Sequence, residues 1–430
     1  MRTVVYGGAA WSRWLTALPR SSAPRPAVAR AAARIVGAVL RGGDDALVRL
    51  TERFDGVRLT PRQLRVPPPE IEALARKADP RVVAALRAMA RRIEAFHRRQ
   101  LETGFRLALP DGSVLEEVVR PLASAGLYVP GGAGAYPSSV LMNAIPARVA
   151  GVGRLVVVTP PRTLERNPAV AAAILVAGVE GRIFRVGGAQ AVAALAYGTK
   201  TIPAVEKIVG PGNAYVAAAK RLVRGAVAID SEAGPSEVTI LADGTADPGW
   251  VAADLLAQAE HGSGDETVVL VTTSRALSAE AARLVADGVS FVANAAKARR
   301  ALARNAAVVL VKSLEEGVAA VNALAPEHVE VLTRGASKVA RGIAGGAVFV
   351  GPWAPVAVGD YGVGPNHVLP TGGSARFSSP LSVRDFQRRQ SVVTMTRRGL
   401  ARVAEGVVRV AVAEGFRGHA QSVLTRFEGE

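Results

Sequence analysis

The chain has 430 residues, 49% of them hydrophobic and 21% charged, with a formal net charge of +17 and no cysteine. Its length exceeds one small core, and at roughly 150 residues per domain it predicts two to four units. No apolar run approaches the roughly 18 residues of a membrane span, and the missing thiols exclude both a disulfide framework and a thiohemiacetal route for oxidising an aldehyde.

The positive charge does not read as a nucleic-acid footprint. Only 7 of the 53 basic residues are lysine, and the arginines are scattered rather than clustered. Aromatic side chains suited to base stacking are sparse, and no recognition motif is present. Arg13 interrupts the first apolar stretch, short of the roughly 7 to 15 residues of a secretory core, so a cytoplasmic protein without a signal peptide is expected.

In chain order, residues 1 to about 105 read as mostly helical, with alanine and leucine at helical spacing over Pro26 to Arg53 and Pro67 to Gln100. The arginines at 91, 92, 98 and 99, with His97 among them, predict an exposed helical face. From about 120 the pattern alternates. Strands are expected at Arg154 to Thr159, Arg182 to Val186, Val238 to Ala242, Thr267 to Thr272 and Ala307 to Lys312. Helices are expected at Pro168 to Val179, Ala189 to Tyr197, Ala214 to Arg224, Trp250 to Glu260 and Leu277 to Val289. Such a succession predicts an α/β protein with two Rossmann-like parallel sheets. The expected division is a helical N-terminal region over 1–110, a first sheet domain over 111–236, a second over 237–381, and a helical tail over 382–430.

No G-x-G-x-x-G fingerprint follows a strand. The nearest turns are Gly131, Gly132 and Gly134, and Gly210-Pro211-Gly212-Asn213. Glycines there could admit a phosphate close to the backbone, or merely shape tight turns. Four of the five histidines stand near polar residues. Gln258 and His261 are three apart near a predicted helix end, so both can reach one ion. Glu327 and His328 follow a proline, Asp360 and His367 share a glycine- and proline-rich loop, and Glu414 and His419 are five apart. No compact metal motif joins them, and each has a bland alternative as a cap or a surface residue.

Six segments carry more. YVPGGAGAYPSSVLMNAIPA (128–147), KIVGPGNAYVAAAKR (207–221), DSEAGPSEV (230–238), DLLAQAEHG (254–262), APEHVEVL (325–332) and GDYGVGPNHVLPTGGSARFSSPLSVRDF (359–386) closely resemble histidinol dehydrogenase, in that family's order. The resemblance implies a zinc site of Gln258, His261, Asp360 and His419, consistent with an all-nitrogen and oxygen ligand set. It implies acid–base roles for Glu327 and His328, and nucleotide contacts at Tyr128, Gln190 and Asn213. Substrate contacts would come from Ser236, His328, Glu414 and the metal ligands, with His367 on the substrate side.

By the same resemblance, L-histidinol is oxidised through its aldehyde to L-histidine, with two NAD and one water, in the last steps of histidine biosynthesis. A homodimer is implied, whose C-terminal segment supplies Glu414 and His419 to the partner's site. The loop after His261 (GSGDET) and the arginine excess depart from the family pattern, but neither touches an implied ligand. The competing readings are a relative acting on another small alcohol, such as a hydroxylated sulfonate, and a basic nucleic-acid or scaffold protein with a vestigial site. Ser236, Glu414 and His419 are all present, which favours the amino alcohol.

Overall fold

A computed structural model describes residues 1–18, 24–131, 136–179, 181–231 and 234–428. Its strands in chain order are β1 (Arg2–Val5), β2 (Arg65–Val66), β3 (Phe105–Ala108), β4 (Val114–Pro121), β5 (Ser124–Tyr128), β6 (Arg154–Thr159), β7 (Ile183–Arg185), β8 (Lys207–Val209), β9 (Ala228–Ile229), β10 (Glu237–Ala242), β11 (Thr267–Thr272), β12 (Ala307–Leu310), β13 (His328–Leu332), β14 (Ala347–Val350) and β15 (Gln387–Thr394). The chain forms two compact units. One comprises 1–100 and 122–386, the other 101–121 and 387–430.

The larger unit contains two six-stranded sheets, ordered β2-β7-β6-β5-β8-β9 and β1-β12-β11-β10-β13-β14. The expected α/β architecture with two parallel sheets is therefore present. Runs such as RLVVVT in β6 and TVVLVT in β11 are almost wholly buried, as strands covered by helices on both faces require. The helix Pro137–Ala150 is buried on nearly every side and packs into the first core.

The N-terminal region is mainly helical, yet it donates an edge strand to each sheet. Strand β1 runs parallel beside β12, and β2 runs antiparallel beside β7. The continuous helical spacing from Pro67 to Gln100 resolves into two helices, Pro68–Ala75 and Pro80–Arg98. Asp79 caps the second by accepting from the Arg81 N–H at 2.8 Å, and Pro80 occupies its first turn. The expected exposure of His97 is corrected here. The neighbouring arginines are exposed, but His97 is fully buried and donates through Nδ1 to the Ile93 carbonyl at 2.8 Å.

In the smaller unit, β15, β4 and β3 form an antiparallel sheet, followed by the helices Arg397–Ala413 and Arg417–Leu424. The tail is helical as expected, except for β15, whose polar sequence QRRQSVVT carries no buried face to announce a strand. Among the described residues, no helix is long and apolar enough to cross a membrane.

Candidate active site

Chain reversal in the strand order marks the crevice where open α/β sheets bind ligands, outside the carboxyl ends of the central strands. In the first sheet this point lies between β5 and β8. Tyr128 closes β5, and Asn213 follows β8. The Tyr128 hydroxyl accepts from the Gly188 N–H at 3.0 Å, and burial pushes its pKa up to about 12. Gln190 is buried in the helix Gly188–Tyr197. Asn213 caps the helix Ala214–Val223, its Oδ1 accepting from Tyr215 and Val216.

Between Tyr128 and Asn213, Gly210 adopts φ +112°, and a Cβ there would lie 2.2 Å from the Tyr128 carbonyl oxygen. The turn is held by the buried Lys220–Asp230 ion pair. Lys220 Nζ donates to the Gly210 carbonyl at 3.1 Å, and Asp230 Oδ2 accepts from the Gly210 N–H at 2.8 Å. Gly210→Ala is expected to destabilise the protein by about 3 kcal/mol, through strain and the clash together. A drop in urea midpoint with unchanged slope is the measurement. An unshifted midpoint would contradict the close approach. Of the other glycine turn, Gly131 is described, while Gly132 and Gly134 lie outside the described residues.

The second sheet uses its opposite end. At the carboxyl ends of β10 and β13, Asp243 accepts from the backbone N–H groups of Thr245 (2.9 Å) and Arg334 (2.8 Å) and links the loops that follow the two strands. The acid–base candidates gather at the amino ends instead. Glu327 precedes β13, His328 begins it, and Glu237 begins β10. The Glu237 N–H donates to Glu327 Oε2 at 2.9 Å, and the Glu327 N–H donates back to Glu237 Oε2 at 3.4 Å. Glu327 is buried beside the carboxylates of Glu237 and Asp360, and desolvation holds its pKa well above the usual range; a Ser236 hydrogen bond opposes the rise. Just upstream, Ala325 has φ 45°, the only positive-φ residue other than glycine among those described. That strained turn delivers Glu327 to its place.

His328 is 3% exposed, and its Nδ1 lies 3.0 Å from the Glu237 carbonyl. A carbonyl only accepts, so Nδ1 carries the proton and Nε2 presents a lone pair. Burial lowers the imidazole pKa, which keeps the ring neutral. Nε2 stands 4.0 Å from Asp360 Oδ1. His367 Nδ1 lies 3.2 Å from the Asp360 carbonyl and its Nε2 3.2 Å from Ser139 Oγ. His328, Asp360 and His367 line one cavity of about 550 Å³. Sequence reasoning missed Glu237, whose acidic side chain at a strand start has no distinguishing spacing. It also missed Asn366, which donates to the Met142 carbonyl at 2.6 Å, with Nδ2 3.5 Å from His97 Nε2.

The helix Pro248–Ala259 carries Gln258, buried with neither amide oxygen nor nitrogen hydrogen-bonded. An orphaned buried amide is costly unless a ligand satisfies it. His261 follows, its Nδ1 directed to the Ala257 carbonyl at 3.3 Å, which leaves Nε2 free. Its ring is near enough to His328 and His367 to oppose protonation of both. The orphaned Gln258 oxygen, the free His261 nitrogen and the Asp360 carboxylate suit a zinc ion's preference for nitrogen and oxygen donors. Among the described residues no group of three or more His, Asp or Glu side chains stands ready to hold a metal. Glu414 and His419 are exposed in the smaller unit, His419 packing edge-on against Phe416 with ring centres 5.1 Å apart.

Behind this cluster, Glu330 on β13 is 1% exposed and faces Asp254. Burial and the Asp254 charge raise its pKa from 4.5 to about 9. Between those values the folded protein holds a proton that the unfolded chain releases, so stability falls as pH rises through the window. Glu330→Gln should flatten that decline in a series of melting curves. Parallel curves for variant and parent would refute the shared proton.

The family model of histidinol dehydrogenase matches residues 18–427. The chain belongs to the histidinol dehydrogenase family. It is 46% identical over 412 residues to the histidinol dehydrogenase of Syntrophotalea carbinolica, covering 95% of each chain. It is 49% identical over 393 residues to that of Rhodopseudomonas palustris, covering 91% of each. The crystal structure of histidinol dehydrogenase from Elizabethkingia anophelis superposes with a TM-score of 0.92 at 33% identity, over 100% of this chain and 98% of that one. The match to this histidinol dehydrogenase spans both parallel sheets and the helical tail.

Proposed function

We propose that this chain oxidises L-histidinol through L-histidinaldehyde to L-histidine, taking up one water and reducing two NAD, as the last steps of histidine biosynthesis in the cytoplasm. Membership of the histidinol dehydrogenase family supports the substrate and the nucleotide. The observation that carries the chemistry is the pairing at the start of β13. His328 Nε2 faces the cavity as a free base while Glu327, one residue away, is a carboxyl with a raised pKa.

Gln258, His261 and Asp360 would hold zinc, with His419 as the fourth protein ligand; Tyr128, Gln190 and Asn213 would contact NAD. The orphaned Gln258 amide and the glycine approach at Gly210 fit these groups. Zinc would orient the amino alcohol by its imidazole and amino groups, and NAD would accept each hydride. His328 Nε2 takes the hydroxyl proton as the first hydride leaves carbon, giving the aldehyde. A water then adds to the aldehyde carbon and yields its proton to Glu327 while His328 returns its proton to the carbonyl oxygen, forming the hydrate and freeing Nε2. His328 accepts a hydrate hydroxyl proton as the second hydride leaves, giving the acid. Ser236 steadies the Glu327 carboxyl, while His367 and Glu414 would contact the substrate. A homodimer in which each chain lends Glu414 and His419 to its partner would complete the site.

The decisive test is spectrophotometric NADH formation from L-histidinol, before and after chelation. Two NADH per alcohol, lost on chelation and restored by zinc, is the expected result. No NADH from metal-replete protein would overturn the proposal.

A further inference from the structure

A second small cavity, about 140 Å³, lies beside the first sheet and includes Asp55, Pro160, Arg162, Thr163 and Arg166. It opens just beyond the carboxyl end of β6, the strand next to β5 on the side away from β8. In a dinucleotide-binding sheet this second-strand end is where an acidic residue receives the ribose 2′-hydroxyl of NAD, or an arginine the 2′-phosphate of NADP. The segment after β6 reads Pro160-Pro161-Arg162-Thr163, with Arg166 beyond, and has no acid at its start. Taken alone it favours a 2′-phosphate.

The acid arrives from elsewhere. Asp55 ends the helix Pro26–Asp55, contributed by the N-terminal region. A carboxylate at a helix C-terminus faces the negative end of the helix dipole, so the position does nothing for the helix. Its Oδ2 is buried and has no hydrogen-bond partner. Its charge is felt by the neighbouring Arg162 and Tyr128. Arg162 is tied to the same helix end, donating to the Gly56 carbonyl at 3.2 Å. A buried acceptor left unsatisfied, beside a cavity at the second-strand end, calls for a hydroxyl donor.

We propose that Asp55 receives the 2′-hydroxyl of the adenosine ribose of NAD and that it bars the 2′-phosphate Arg162 and Arg166 would otherwise attract. This rests on the NAD-dependent reading above. It makes Asp55 the specificity-determining residue of the nucleotide site, supplied from outside the sheet it serves.

Titration calorimetry on the full-length, metal-replete chain, with NAD and with NADP and without alcohol, tests this apart from turnover. Asp55→Asn and Asp55→Ala should each weaken NAD about tenfold, the worth of one charge-assisted hydrogen bond. Both should bind NADP more tightly than the parent does. Their melting temperatures should equal or exceed the parent's, because an unsatisfied buried carboxylate is removed. Adding Arg162→Ala to Asp55→Asn should cancel the gain in NADP binding. Folded variants that keep parental NAD affinity and parental discrimination against NADP would overturn the assignment. A parent chain that binds no NAD would overturn the NAD-dependent reading itself, and Asp55 with it.

Discussion

Glu327→Gln is expected to leave the first oxidation within a few-fold of the parent rate and to slow the second by about 10² to 10⁴, the range for removing a general base. The amide keeps an oxygen to accept from the Glu237 N–H, whose 2.9 Å bond positions the side chain. It loses only the capacity to take a proton from water. Stopped-flow NADH formation from L-histidinol should then stop near one equivalent, and semicarbazide should trap the accumulated aldehyde. His328→Ala, in contrast, should suppress both equivalents, since the free Nε2 serves both hydride transfers. A glutamine variant that still releases two NADH at the parent rate would remove Glu327 from the hydration step. Because Glu327 is a desolvated carboxyl beside two others, its amide variant should melt no lower than the parent, which separates lost chemistry from lost folding.

Two inactive variants should rescue each other if the site is shared between chains. His419→Ala damages the contribution from the smaller unit, and Glu327→Gln damages the catalytic pair in the larger one. Mixed one to one, unfolded and refolded together, a C2 dimer assorts so that half of the molecules are mixed. Each mixed dimer carries one intact site, giving about a quarter of parental activity. Neither variant alone should exceed a percent or so, given losses of about 10² or more. No recovery on mixing, with dimers confirmed by light scattering, would show that Glu414 and His419 serve their own chain. A chain truncated before about residue 410 should be inactive as well, and full activity would sink the shared-site reading.

Much of the scaffold was legible because burial on two faces writes a continuous apolar run. RLVVVT and TVVLVT were placed to the residue for this reason. Edge strands were not: β1, β2 and β15 are short or polar, and their pairing is decided by distant chain. Four flanking arginines mask His97, which in fact continues the buried face that Leu86, Met89 and Ile93 form on the same helix. The site itself was opaque to spacing. Its groups lie on a helix end, a strand start and the short helix Val356–Tyr361, where a loop was expected, at 258, 328 and 360, and only folding brings such separations together. Resemblance to a family named these residues. It could not name Glu237, whose backbone and side chain bind the Glu327–His328 pair on three sides, or Asp55, which reaches the nucleotide side from a helix remote in sequence.

The two sheets share one strand order, although the N-terminal edge strand is antiparallel in the first and parallel in the second. Each begins at a central strand, lays the next two to one side and the last two to the other, and recruits an edge strand from the N-terminal region. Under the proposed function one would present its carboxyl ends to the nucleotide and the other its amino ends to the alcohol. With the two proposed tasks at separate ends, loops at the amino ends of the second sheet could be altered for another alcohol without touching the Gly210 turn on the first.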